Sequence, residues 1–219
     1  MLFNREEMPV KKTNIVASAI TLIILAACAQ KGPVLLSNID YQPPERLNTA
    51  LSKLVVGVSP LKDSREKSAY LVGTRVVAST DIVNDLVVQG TAADLVTERL
   101  KEALQARGFT VKDVAGWDMT AEGLKPDGVD LVLGGEVKSL WVESVSKLFD
   151  TFMKADVQLR VVAADISEKK IIRTLNLASR IENKDIAFSF GKVEVVLSEA
   201  LSSAIDQIFS DEEMRKRLE

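Results

Sequence analysis

The stretch Thr91–Phe109, TAADLVTERLKEALQARGF, carries the strongest local signal in the chain. Thr91 with Asp94 has the pattern of a capping box, in which a hydroxyl and a carboxylate satisfy free amides at the start of a helix. Arg107 suits the negative end of a helix, and Gly108 can adopt the left-handed conformation that ends one. The apolar residues recur at helical spacing and form one stripe: Ala92, Leu95, Val96, Leu100, Ala103 and Leu104. The stretch therefore predicts an amphipathic helix.

The segments around this helix predict a sheet and a second helix. Residues 53–58 form a short β-branched run, residues 155–163 alternate apolar and polar at period two, and residues 171–181 follow a polar turn as the hairpin partner. Val193–Phe209 forms a continuous apolar stripe, and Ser210 with Glu213 predicts a capped short helix after it. The order predicts an α+β domain over residues 53–219, with a mostly antiparallel sheet and two main helices packed on one face.

The apolar run from Ile15 to Ala27 is short for a permanent membrane span, because a bilayer needs about 20 apolar residues in a helix. Preceded by lysines, it fits a secretory signal instead. Its end resembles the bacterial lipobox, which the lipoprotein signal peptidase reads: Leu25, Ala26, Ala27 and Cys28. We therefore predict a signal peptide over residues 1–27 and lipid attachment at Cys28, the first residue of the mature chain.

Two features of the leader bear on the start and the location of the protein. Glu6 and Glu7 are unusual in a basic leader, so that Met8 is an alternative start to Met1. Inner-membrane lipoproteins of enteric bacteria often carry Asp after the lipidated Cys, and by resemblance to that sorting rule Ala29 favours the outer membrane. Two or three acyl chains on one Cys anchor a protein stably. We expect the domain to lie on the periplasmic face of that membrane.

Residues 28–52 are predicted to be the lipidated Cys and a flexible tether. Gly32-Pro33 and Pro43-Pro44 favour extended, unpaired backbone. Val34-Leu35-Leu36 interrupts the polar character, which leaves open the alternative that this part lies along the domain as an edge strand.

Composition excludes several classes of function. The chain has a net charge of −3 and no histidine. Removing residues 1–27 takes away three basic and two acidic side chains, so that the net charge becomes −4. An acidic, mixed surface argues against nucleic acid, and the lack of histidine removes the commonest general base and metal ligand. With Cys28 acylated, no thiol remains for a disulfide.

The remaining candidate sites have weak patterns. Asp63 and Arg65 could bind a ligand, but a solvated loop pair is the favoured interpretation. Asp81 and Asp85 would share a helix face, yet they lack a third metal ligand. Gly134-Gly135 predicts a bulge or a close approach of backbone, and Trp141 predicts a strand position in the core or at an edge. We therefore expect no catalytic residue, no metal and no cofactor.

Several segments together resemble the YajG-type uncharacterised lipoproteins of bacteria. They follow the lipobox and the tether: GTAADLVTERLKEALQARGFTV, MKADVQLRVVAADISEKKIIRTLNLASRIE and VLSEALSSAIDQIFSDEEMRKRLE. The resemblance implies a small periplasmic α/β domain attached to a membrane, and it brings no catalytic residues.

These observations lead to a non-enzymatic envelope lipoprotein that acts as an accessory or scaffold subunit of an envelope assembly. It would bind a protein partner in the envelope, whose identity the sequence does not give. One alternative is a ligand-binding or lipid-transport auxiliary protein with an apolar groove between helices and sheet. Another is a self-assembling secretion pore, for which the charged and irregular residues 66–90 are the only spare segment.

Overall fold

The computed structural model describes residues 32–46, 53–125 and 128–218. Its described part from Pro33 onward forms one mixed sheet of nine strands and three helices. In chain order the elements are β1 (Val34–Leu36), β2 (Val55–Val58), β3 (Lys62–Asp63), β4 (Leu71–Val77), β5 (Ile82–Val88), α1 (Ala92–Ala106), β6 (Thr110–Asp113), β7 (Leu131–Ser146), β8 (Thr151–Asp165), β9 (Lys170–Asp185), α2 (Phe190–Ser210) and α3 (Glu212–Leu218).

The sheet is built around β7, which has different neighbours on its two edges. On one edge β8 pairs antiparallel along the full length of β7, and β9 continues the meander beyond β8. On the other edge the short strands β2, β3 and β4 follow one another, each parallel to β7. Beyond them β6 pairs parallel with β2, while β5 pairs antiparallel with β4 and parallel with β1.

The expectation of a mostly antiparallel sheet is wrong, because five of the eight described pairings are parallel. The long β7–β8–β9 meander has the antiparallel order that the hairpin pattern predicted. The parallel pairs arise where the chain returns through a crossover, as between β2 and β6 by way of α1. Apolar alternation marks a strand and its buried face, but it does not specify the direction of the neighbouring strand.

Alternate residues of the central strands face two separate cores. Leu131 and Leu133 belong to the large core under α1 and α2, whereas Val132 between them belongs to a smaller core on the opposite face. Trp117, in the loop after β6, covers the smaller core. The two main helices therefore lie on the same face of the sheet, as predicted.

Both ends of α1 have the predicted chemistry. The Asp94 amide donates to the Thr91 hydroxyl at 3.0 Å, and the Thr91 amide donates to the Asp94 carboxylate at 3.3 Å, which completes the capping box. Gly108 has a φ of 89° and ends the helix. At α3 the prediction is corrected, because Asp211 and not Ser210 caps it by accepting from the amides of Glu213 and Met214.

Of the predicted tether over 28–52, residues 28–31 and 47–52 lie outside the described residues. Val34–Leu36 forms β1 at the edge of the sheet, which confirms the edge-strand alternative, and the docked chain continues to Gln42. Leu36 and Ile39 are each only 2% exposed and belong to the large core. Apolar burial and backbone hydrogen bonds thus tie this segment to the domain.

Candidate functional site

A docked segment, residues 33–42, precedes β2, and we call it the strap. After β1 the strap runs along α2. Its side chains alternate as in a strand: Ile39 and Tyr41 are buried, whereas Asn38, Asp40 and Gln42 are exposed.

One face of α2 supplies the acceptors for the strap backbone. The Glu194 carboxylate accepts from the amides of Ser37 at 2.7 Å and Asn38 at 3.0 Å. The hydroxyls of Ser198 and Ser202 accept from the amides of Asp40 at 3.1 Å and Gln42 at 2.8 Å. These side chains lie four residues apart and therefore share one helix face. The strap backbone is thus paired with side chains along a helix, as an edge strand is paired with a neighbouring strand.

A buried cluster around Arg107 fastens the end of the strap to both main helices. The Arg107 guanidinium donates to the Tyr41 hydroxyl at 2.6 Å, to the Ala103 carbonyl at 3.0 Å and to the Asp206 carboxylate at 2.8 Å. The Tyr41 hydroxyl in turn donates to Asp206 at 2.6 Å. The guanidinium also lies 3.7 Å from the centre of the Phe209 ring, at the distance of a cation–π contact.

Burial is the largest cause that raises the pKa of Tyr41, to about 12, and its hydrogen bond to Asp206 adds to it. Tyr41 therefore stays protonated and keeps donating to Asp206 at any ordinary pH. The cluster is a structural clamp, since each of its polar groups is engaged in holding the strap.

Asp63 and Arg65 form neither a solvated pair nor an open ligand site. The Arg65 side chain is 3% exposed, and it binds Asp63 at 2.8 Å. It also donates to the carbonyls of Leu71 at 2.7 Å and Ala69 at 2.9 Å. The hydrogen bond from Arg65 holds the pKa of Asp63 below its ordinary value. The pair organises the connection between β3 and β4.

Arg75 lacks a carboxylate partner among the described residues. Its guanidinium lies 3.8 Å from the centre of the Phe188 ring and 5.6 Å from that of Phe190. The Nε of Arg75 and the nearby Ser144 hydroxyl are both buried without a hydrogen bond. Burial lowers the pKa of Arg75. The aromatic rings take the place of an acidic partner here.

The residues predicted for lipid attachment and signal recognition, Leu25, Ala26, Ala27 and Cys28, lie outside the described residues. None of the described helices is long and apolar enough to cross a membrane.

Most of the other residues that the sequence singled out lie in strands of the sheet. Asp85 lies in a strand and not on a helix, and the part of the chain that is described holds no cluster suited to a metal ion. The predicted close approach of backbone is found at Gly135, where a Cβ would collide with the Arg160 carbonyl, whereas a Cβ at Gly134 would lie 3.0 Å from the Trp117 ring. Trp141 lies in β7.

The space between the main helices and the sheet is filled by side chains. Leu104, Leu133, Met153, Leu197 and Ile205 have no exposed surface there. A small cavity on the other face, beside Trp117 and Leu124, has a volume of about 30 Å³, which has room for no more than a few water molecules. Neither place has room for an acyl chain.

No family model matches the chain, and no curated protein matches it. Solved structures do share its architecture. Protein XCC0632 from Xanthomonas campestris, of family DUF330, aligns with a TM-score of 0.53 at 10% identity, over 84% of this chain and 97% of that one. At this identity the match shows a common fold alone.

Two other structures have lower scores, and one of them is named a lipoprotein. Lipoprotein GNA1162 from Neisseria meningitidis aligns at 14% identity with a TM-score of 0.37, over 72% of this chain and 99% of that one. The LpoB C-terminal domain from Salmonella enterica aligns at 14% identity with a TM-score of 0.29, over 60% of this chain and 86% of that one. These scores are too low to support a functional inference.

Proposed function

We propose that the chain is a lipid-anchored, non-enzymatic protein of the bacterial envelope. It is anchored through Cys28, lies on the periplasmic face with the outer membrane favoured, and acts as an accessory or scaffold subunit of an envelope assembly. The YajG-type lipoproteins are the family that its motifs resemble.

The docked strap is the observation that carries this proposal. Cys28 precedes Pro33 by five residues, which can span at most about 17 Å. A free tether up to residue 52 would let the domain sample a much larger volume. Because the strap is bound along α2 through Gln42, the domain is held close to its anchor. This arrangement suits a subunit that meets its partner at the membrane surface.

The chemistry of the described residues supports a binding role and not catalysis. The chain has no histidine. The buried charges Arg65, Arg107 and Glu194 hold the strap or a loop in place. The lipid-transport alternative needs an apolar groove between helices and sheet, and packed core residues fill that space.

Expression of the full chain with a C-terminal tag tests the anchor. We expect wild type to sediment with membranes and its intact mass to show lipid on Cys28, and we expect Cys28→Ala to lose both properties. Ala29→Ser is the matched control, because it changes the next residue and keeps the thiol. An unmodified Cys28 in wild type would contradict the anchor.

Gentle solubilisation of the same membranes tests the accessory role. We expect a stoichiometric envelope protein to co-purify with wild type and with Ala29→Ser, but not with Cys28→Ala. Isolation of a solitary lipoprotein would count against the accessory role. Turnover abolished by a single polar substitution would contradict the non-enzymatic assignment.

A further inference from the structure

One end of the sheet carries most of the exposed large apolar side chains. The described residues expose eight of them, and five lie at this end. The most exposed are Ile186 at 87%, Phe149 at 81% and Leu148 at 78%, and Phe152 and Val83 lie at the same end. We call Leu148, Phe149, Phe152 and Ile186 the apolar tip.

Strand register places the members of the apolar tip together. Leu148 and Phe149 lie in the turn between β7 and β8, and Phe152 is at the start of β8. Thr151 pairs with Asp185, so that Ile186 follows the end of β9 beside that turn. Val83 is at the start of β5, whose partner strand β4 ends level with Ser146. Exposed apolar patches of this kind mark contact surfaces for proteins or membranes.

The strap enters the domain from the same end. Val34 of β1 pairs with Leu86 of β5, Leu86 pairs with Gly73 of β4, and Gly73 pairs with Val142 of β7. Val34 therefore lies level with Val142 along the strands. Four strand residues, or about 13 Å, separate Val142 from Ser146 near the tip, whereas 11 residues, or about 36 Å, separate it from Leu131 at the far end. β1 runs away from the tip, so the chain before Val34 comes from the tip side.

The length of chain before the strap decides which end can meet the anchoring membrane. Six residues lead from Cys28 to Val34 and span at most about 21 Å. Along the strands, this reach exceeds the roughly 13 Å from the level of Val34 to the tip end, and it falls short of the roughly 36 Å to the far end.

Lysines pair with two acidic side chains next to the apolar tip. Lys184 pairs with Asp150 at 2.8 Å, and Lys192 pairs with Asp185. The exposed Lys147 lies in the same turn as Phe149 and adds a positive charge for lipid phosphates. Asp150 and Asp185 are therefore neutralised by lysines next to the apolar side chains.

We propose that the apolar tip inserts into the lipid surface to which Cys28 is anchored, which fixes the orientation of the domain on the membrane. The inference rests on the proposed lipid anchor. The orientation leaves the far end of the sheet, with the turn between β8 and β9, directed away from the lipid.

Fluorescent labels on the lipidated protein test this orientation. Because Cys28 is the only cysteine and its thiol carries lipid, Phe149→Cys introduces a single reactive thiol. Lys170→Cys is the matched control at the exposed far end, about 50 Å away along β8. Each protein is purified from membranes, labelled with an environment-sensitive nitrobenzoxadiazole dye, and placed in phosphatidylethanolamine and phosphatidylglycerol vesicles containing nitroxide-labelled lipid. Ile186→Cys is a second tip variant should Phe149→Cys fold poorly.

We expect the label at Phe149 to shift to shorter wavelength and to be quenched several-fold more by nitroxide lipid than the label at Lys170. A Phe149 label open to aqueous iodide would overturn the tip insertion, while a lipid mass on Cys28 would keep the anchor intact. A label shielded from iodide but not quenched by lipid would overturn it too, because a second copy or another protein would then cover the tip. A free Cys28 in wild type would overturn both proposals.

Discussion

The Arg107 guanidinium donates a hydrogen bond of 2.6 Å to the Tyr41 hydroxyl across 66 residues of sequence. Through this bond the C-terminal end of α1 holds the chain that enters the domain, and Asp206 of α2 binds both partners. The strap is therefore fastened by the two main helices together. If Cys28 carries the lipid, the stability of this cluster also controls how far the domain can move from the membrane.

Arg107→Lys should destabilise the domain by about 2–3 kcal/mol, because an ammonium cannot reproduce the planar set of donors and leaves buried acceptors unpaired. Urea unfolding followed by circular dichroism measures the change. Arg180→Lys is the matched control, since the Arg180 side chain is 59% exposed and pairs with Asp156 at the surface. It should change the free energy of unfolding by less than about 1 kcal/mol. Equal effects of the two variants would argue against a clamp at Arg107.

Removing the acceptors on α2 should loosen the strap without unfolding the domain. Ser198→Ala with Ser202→Ala leaves the amides of Asp40 and Gln42 without their partners, at about 1–3 kcal/mol for each group left unpaired. Hydrogen exchange at these two amides should become at least tenfold faster. Ser203→Ala is the matched control, because Ser203 is exposed on the next position of the same helix. Unchanged exchange in the double variant would show that apolar burial alone holds the strap.

The raised pKa of Tyr41 predicts a loss of stability at alkaline pH. The folded protein holds the proton more tightly than the unfolded chain, since the pKa rises from 10.0 to about 12. The contribution is complete below pH 10 and is lost as the pH rises from 10 towards 12. In Tyr70→Phe, Tyr41 is the only tyrosine, and tyrosinate absorbance near 295 nm reports its pKa directly.

Tyr41→Phe is the complementary variant for this experiment. It should be less stable than wild type at neutral pH, and the difference should shrink as the pH approaches 12. A Tyr41 that titrates near 10 in the folded protein would contradict its burial in the cluster.

Asp63→Asn should destabilise the domain by about 3 kcal/mol, because it leaves the buried Arg65 charge without its carboxylate. The folded pKa of Asp63 is lowered, so that in wild type its contribution is present above the ordinary value of 3.8 and is lost as the pH falls below it. Unfolding between pH 2 and pH 7 should therefore show a shallower acid dependence in the variant. Asp113→Asn is the control, since Asp113 is 82% exposed. A parallel acid dependence in wild type and Asp63→Asn would contradict this role.

Sequence patterns predicted the elements whose signals are local. Thr91, Asp94 and Gly108 specify both ends of α1 within the helix itself, and the alternation in β8 identifies its buried face. The parallel edge of β7 was missed because its short strands do not specify their partners. The part of the strap after β1 was missed because its partners, Ser198 and Ser202, look like polar interruptions of an apolar stripe. Their spacing of four residues with Glu194 and Asp206 is the signal that could have revealed a second, polar ridge.

Packing around the Gly134-Gly135 pair explains why both positions are glycine. A Cβ at Gly135 would collide with the backbone carbonyl of Arg160 on β8, whereas a Cβ at Gly134 would meet the Trp117 ring at 3.0 Å. The Arg160 backbone lies in the centre of the β7–β8 pair and cannot shift without breaking strand hydrogen bonds. The Trp117 side chain lies in a loop and can move. Gly135→Ala should therefore destabilise the domain by about 3 kcal/mol, and Gly134→Ala by about 1 kcal/mol.

Urea unfolding measures both variants, and the near-ultraviolet circular dichroism of Trp117 should change in Gly134→Ala as the ring shifts. Gly116→Ala is the control, because no atom lies within 4 Å of a Cβ at that position. Its free energy of unfolding should stay within about 0.5 kcal/mol of wild type. If Gly134→Ala were the more damaging of the pair, the Trp117 loop would be the rigid element, and the smaller core would stabilise the sheet more than its few residues suggest.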